Sequence, residues 1–162
     1  MDSSQKVDKL VQAIDSLDKS SPPEQIEALR EYFSEDCVCY MASMREYDAP
    51  SIGRDAVVEA IKGGLKQCHT HQRDMLHRST TSDGKTVFCE TKASLHVLGE
   101  LLDPLYETWV VTFDDQGLIK DLKKYSCRSH LVEIIQDKTG MGPYAAVPET
   151  RGQPLANVSC CR

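Results

Sequence analysis

Glu107 is the residue of this sequence best placed to do chemistry. It belongs to Leu105, Glu107, Trp109, Val111 and Phe113, every second residue of a largely apolar run, and alternate residues of a strand share one face of a sheet. A lone Trp flanked by Val and Phe belongs in an apolar interior, so Glu107 is expected to turn inward with it. Apolar walls desolvate a carboxylate and raise its pKa toward the range useful for proton transfer. Two other settings fit the same spacing: a rim glutamate in water, or one paired with a buried Arg or Lys. His69 and His71 stand two apart in another strand-like run, hence on one face, and imidazole is the natural proton shuttle near neutral pH. The alternative for His71 is an exposed strand edge. A His-x-His pair also invites a metal, but Cys68 and Asp74 alternate to the other face and His77 lies roughly 20 Å further along. No metal site is expected.

The remaining candidates are supporting residues. Asp36 opens an earlier strand, either as a polar group of the site or as the end of the preceding helix. Tyr40 and Met41 point to opposite faces, so only one of them can see a ligand. Val87, Cys89, Thr91, Ala93 and Leu95 form a small, mostly apolar set suited to a cavity wall, while Phe88, Glu90, Lys92, Ser94 and His96 suit an outer face. Arg45, Tyr47 and Asp48 lie in a polar segment, either a lid or a solvated loop. No Gly-rich phosphate loop, Walker pattern, serine nucleophile elbow or Cys-x-x-Cys pair occurs, and no cofactor is expected.

The elements that must position these residues follow from periodicity. Val7, Leu10, Val11, Ile14 and Leu17 mark a first helix. Ser21-Pro22-Pro23-Glu24 reads as the start of a second, with Ile26, Leu29 and Phe33 on its apolar face. Ser34-Glu35-Asp36 stops it, and Cys37 to Ala42 is a short strand. Asp55 opens a third helix, buried through Ala56, Val57, Ala60, Ile61 and Leu65. Beyond Cys68 the period becomes two: strands over 69–80, 85–98, 105–113 and 118–126, with turns at Ser82-Asp83-Gly84, Gly99 and Asp114-Asp115-Gln116-Gly117. Tight turns make the meander antiparallel, and the order of elements is α+β. Ser129 to Lys138 reads as a last helix. Residues 1–138 are thus one domain and 139–162, rich in Gly and Pro, a tail that is either solvated or an arm onto a partner subunit through Tyr144, Val147 and Leu155.

Composition narrows the function. With 162 residues, 40% hydrophobic and 27% charged, the chain can bury a core. A net charge of −6 argues against nucleic acid as a partner, with Lys123-Lys124 too small a basic footprint. No run is long enough to cross a bilayer, and the acidic, polar start does not read as a signal peptide. The expected setting is cytoplasmic, with all seven cysteines reduced.

Gly53-Arg54-Asp55-Ala56 at the third helix and Phe113-Asp114-Asp115-Gln116-Gly117-Leu118-Ile119 at the last hairpin, in this order of elements, resemble the SnoaL-like group over roughly residues 5–130. That group shares the nuclear transport factor-like cone fold with ketosteroid isomerase and scytalone dehydratase, and the chain looks most like fungal terpenoid and meroterpenoid isomerases and cyclases. The resemblance implies a cone of curved antiparallel sheet wrapped around N-terminal helices, a pocket for an apolar small molecule, and a homodimer through the outer sheet face. It implies that His71 lies near a pocket histidine of the scytalone dehydratase arrangement. It also sets Met41 where ketosteroid isomerases place a base, and Trp109 near their carboxylic-acid donor, both departures from steroid enolisation. The expected activity is a cofactor-independent isomerase or cyclase of secondary metabolism, with Glu107 and His71 as the acid-base pair and Asp36 or Tyr40 in support. Tyr40, Met41, Trp109, Thr91, Leu105 and Tyr47 are the expected substrate contacts. The alternatives are a dehydratase or hydrolase of a polyketide-like substrate, or a non-catalytic ligand-binding or dimerisation module.

Overall fold

The computed structural model of the chain describes residues 2–41 and 49–141. Helix α1 (Ser3–Asp15) opens with a reciprocal cap in which Asp2 accepts from the Gln5 amide at 2.8 Å and Gln5 accepts from the Asp2 amide. Its stripe of Val7, Leu10 and Val11 is buried. The second helix departs from expectation. Ser21 is occupied by accepting from the Asp18 amide at 2.9 Å, and Pro22 caps α2 (Pro23–Glu27) without a side-chain bond. The chain then tightens to a 3₁₀ turn over Ala28–Tyr32, which suits the spacing of three between Ile26 and Leu29. Phe33 therefore begins strand β1 (Phe33–Tyr40), fully buried, and Ser34-Glu35-Asp36 lies within an irregular stretch of that strand.

Strand β2 (Ser51–Ile52) is brief, and Gly53 turns the chain into α3 (Arg54–Leu65) at φ +83°. Its amide donates to the Cys37 carbonyl at 2.8 Å. An added Cβ would stand 3.1 Å from the Glu35 carbonyl oxygen, so both backbone angle and space call for glycine. The meander follows as β3 (Cys68–Thr80), β4 (Thr86–Val97), β5 (Glu100–Phe113) and β6 (Ile119–Ser126). β5 starts earlier than expected because Leu98 and Gly99, both at positive φ, close a two-residue hairpin between Val97 and Glu100. Helix α4 (Ser129–Thr139) ends the described chain.

The six strands lie in the order β2-β1-β6-β5-β4-β3. All pairings are antiparallel except β1 with β6, which are joined through β2, α3 and β3 to β5 rather than by a tight turn. The buried residues fall into two groups. The larger joins α1, α3 and β1 to Val87, Cys89, Trp109, Val111 and Phe113. The smaller joins Leu131 of α4 to Ala93, Leu95, Val97, Leu102 and Leu105. Segment 42–48, carrying Arg45, Tyr47 and Asp48, and segment 142–162, carrying most of the expected tail with Cys160 and Cys161, lie outside the described residues.

Candidate active site

Strand alternation delivers Glu107 to the interior as expected, between Leu105 of the smaller apolar group and Trp109 of the larger. Its side chain is 5% exposed. Thr91 pairs with it across β4 and is also buried. The carboxylate is not left alone among apolar walls. Lys124 Nζ stands 2.8 Å from Oε1, the Arg73 guanidinium donates to Oε2, and the Trp109 indole N–H donates to Oε2 at 3.3 Å. Burial by itself raises the Glu107 pKa, but the charges and hydrogen bonds of Lys124 and Arg73 outweigh it and hold the group down at about 2. The expected upward shift is thereby overturned. Glu107 is an ionised, paired carboxylate.

Arg73 closes the arrangement. Its Nε donates to both Asp15 oxygens, at 3.2 and 3.1 Å, and its Nη1 donates to Thr91 Oγ1 at 3.1 Å. Burial lowers its pKa, while Glu107 and Asp15 raise it and prevail. Arg73 and Lys124 also lie over the Trp109 ring, 5.2 and 4.7 Å from its centroid, where the negative face of the indole favours cations. Two carboxylates and two cations thus form a neutral belt between the two apolar groups.

Arg73 reaches the interior because β3 is bulged. Thr70 faces Leu95 and Gln72 faces Ser94, so His71 is an extra residue in the ladder. In a strand of the same sequence without the bulge, Arg73 would share a face with His69 and His71. With it, Arg73 pairs with Ala93 on the inner face, and the histidines are left outside. The His71 ring meets His96 edge-on at 5.0 Å, and His69 lies 5.2 Å from the same ring. His71 is exposed and on the side of β4 opposite Thr91. Its expected place beside Glu107 is therefore corrected.

Asp36 is exposed in the irregular part of β1, accepting from Ser34 Oγ at 3.1 Å, and does not join the belt. Of the Tyr40–Met41 pair, Met41 packs against the larger apolar group. Tyr40 shares the other face with its pairing partner Lys123, so it does not support Glu107. Trp109, Thr91 and Leu105 lie where expected, buried around Glu107. Sequence reasoning missed Asp15, Arg73 and Lys124 as members of the site. Lys124 had a legible signal, since it stands two residues from the inward Leu122 and shares its face; Arg73 had none, because the bulge inverts its face.

Chemically, the belt offers a carboxylate that is ionised at neutral pH, two cations and an indole donor, all in apolar surroundings where such charges act strongly. Among the described residues no group of three or more His, Cys, Asp and Glu side chains could hold a metal ion. A separate hollow of about 200 Å³ lies near the last hairpin, between Lys6, Lys9, Tyr32 and Phe113, and does not include Glu107. No helix among the described residues is long and apolar enough to cross a membrane.

No protein-family model matches the sequence, and no curated protein matches it. Solved structures do resemble the chain. A SnoaL-like polyketide cyclase structure from Shewanella denitrificans OS-217 superposes with a TM-score of 0.63 at 13% identity, over 83% of this chain and 97% of that one. A steroid delta-isomerase from Pseudomonas aeruginosa gives 0.58 at 17% identity, over 85% and 88%. SalBIII, an epoxide hydrolase/cyclase-like enzyme described in pyran ring formation in the polyether salinomycin, gives 0.59 at 17% identity, over 77% and 90%. At such identities the likeness is one of fold: the chain has the mixed α+β cone, N-terminal helices against a curved sheet, that SnoaL-like and steroid isomerase structures share.

Proposed function

We propose that this protein is a cofactor-independent isomerase or cyclase that rearranges a polycyclic, oxygenated terpenoid or meroterpenoid by moving protons between carbon and oxygen. The observation that carries the reading is Glu107, a buried carboxylate held ionised on the inner sheet face between two apolar groups. Ion pairs are an unusual thing to build inside a cone unless charge is needed there. In this role Glu107 accepts the proton rather than donating it. Its pairing keeps its basicity low, so abstraction goes with the loosening of one partner. Lys124, the more exposed of the two cations at 17% against 5% for Arg73, is the one that yields. Trp109, Thr91, Leu105 and Met41 supply the apolar contacts. The likeness in fold to structures described as a polyketide cyclase, a steroid isomerase and a pyran-forming enzyme supports a bulky oxygenated substrate.

The test is incubation with a panel of polycyclic terpenoid ketones and epoxides, read by mass. An isomerase or cyclase conserves mass. Gain or loss of one water would instead favour the hydrolase or dehydratase reading. Glu107→Gln, verified as folded by circular dichroism, should lose turnover by at least 10²-fold; full activity in that variant removes Glu107 from the mechanism. A non-catalytic module also has a specific observation in its favour, since both Glu107 oxygens already have partners. It predicts binding without turnover. Self-association through the outer face, where Phe88, Tyr106 and Tyr125 are exposed, belongs to the same proposal, and a solution mass near 18.1 kDa would refute it.

A further inference from the structure

We propose that Lys124 is the residue of this site that meets the substrate's oxygen, and that the site prefers apolar molecules whose oxygen carries or develops negative charge. The inference deepens the functional reading above and rests on it for the position of the site. Three observations lead to it. First, the members of the belt differ in access: Glu107 and Arg73 are each 5% exposed, Lys124 17%. Second, the donors are unequally used. Arg73 is committed to Asp15, Thr91 and Glu107, so its fork is spent on holding the belt together. The Lys124 ammonium has three donors, and the side-chain contacts identified for it are Glu107 and the Trp109 face. Third, Lys124 pairs with Trp109 across β5 and β6, so its head lies on the inner face. Cys68, packed against the smaller apolar group, feels the charges of Lys124 and Glu107.

A cation held between apolar walls binds a full or developing negative charge far better than it binds a neutral oxygen, because little water is there to compete. When Lys124 turns a donor to a carbonyl that becomes an enolate, its hold on Glu107 weakens and the carboxylate becomes a better proton acceptor. One residue then links binding to base strength. The proton leaves the carbon next to the carbonyl for Glu107, and the electron pair left behind moves onto the oxygen held by Lys124.

Trp109 is the sole tryptophan, so its fluorescence reports on the site directly. Adamantane-1-carboxylate and adamantane-1-carboxamide, matched in shape and differing in charge, serve as probes at pH 7.5. Wild type should bind the carboxylate at least tenfold more tightly, the range of a charge-assisted hydrogen bond. Lys124→Met should erase that preference while keeping the carboxamide affinity within about twofold, and Lys124→Arg should restore part of it. Glu107→Gln should tighten carboxylate binding, because a competing negative charge is gone. Equal affinity for the two probes in wild type, binding of neither, or a preference that survives in Lys124→Met overturns the proposal. If Lys124→Met does not fold, loss of the preference in Lys124→Gln supports the proposal and its retention overturns it. An active Glu107→Gln would sink the acid-base reading and leave the Lys124 result standing, so the two fail separately.

Discussion

The Arg73 guanidinium reaches across β4 to the Glu107 carboxylate on β5, and the Nη1 that bridges them also donates to Thr91 on the strand between. The same side chain closes on Asp15 at the end of α1. One residue thus ties the first helix, the edge strand and the middle of the sheet together, at the level where the two apolar groups meet.

Replacing that residue should be costly. Arg73→Met keeps most of the aliphatic stem but leaves Asp15 without its cation and Glu107 with Lys124 alone. Breaking a buried pair by removing one partner costs about 3–5 kcal/mol, and urea unfolding should show a loss in that range. A loss under about 1 kcal/mol would mean that water solvates the belt.

Acid should unfold the protein through Glu107. Its folded pKa, about 2, lies below the ordinary 4.5, so the folded state binds fewer protons than the unfolded one between those values. Its contribution is complete above about pH 4.5 and drains away as pH falls toward 2, amounting to about 3 kcal/mol. Glu107→Gln should flatten this acid limb of the stability curve. Superimposable limbs for the variant and wild type would show that other carboxylates govern acid unfolding.

The bulge at His71 can be tested by deletion. His71→Ala keeps the extra residue and alters an exposed ring, so stability should move by no more than about 0.5 kcal/mol. Deleting His71 closes the bulge and leaves Gln72 opposite Ser94 and Arg73 opposite Ala93, so Arg73 stays on the inner face. The deletion should therefore cost less than the roughly 3 kcal/mol of a broken buried pair and leave Trp109 fluorescence unshifted. A loss of about 3 kcal/mol or more, with a red shift, would mean that the ladder runs straight through His71 and would count against the bulge as the device that places Arg73.

Thiol reactivity should follow burial. Cys127 is exposed, and hydrogen bonds to Ser129 lower its pKa, so iodoacetamide at pH 8 should label it in the native protein. Cys89 is buried, and desolvation pushes its pKa up to about 11; Cys39 is buried and shifted upward as well. Both should stay unlabelled until denaturant is added, as read by peptide mass mapping. Rapid native labelling of Cys89 would mean that the sheet interior opens readily.

Much of this molecule is written in its period. The stripe of Val7, Leu10 and Val11, the meander with its turns, and the inward set of Leu105, Glu107 and Trp109 all follow from which residues repeat at three to four or at two. That pattern depends only on neighbours in sequence, so it survives without knowledge of the rest of the chain. The second helix was less legible, because Ile26, Leu29 and Phe33 satisfy an α-helical face and a tighter turn leading into a strand almost equally well. The charge state of Glu107 was not legible at all. Its cations come from 34 positions upstream on β3 and from β6, and Arg73 arrives only because one residue without any compositional mark is extruded from the ladder. Sequence determined that an acid would enter an oily interior. Tertiary structure alone decided that it would enter as an anion, because the electrostatic cost of burial is settled by whichever partners the folded chain brings within hydrogen-bonding distance.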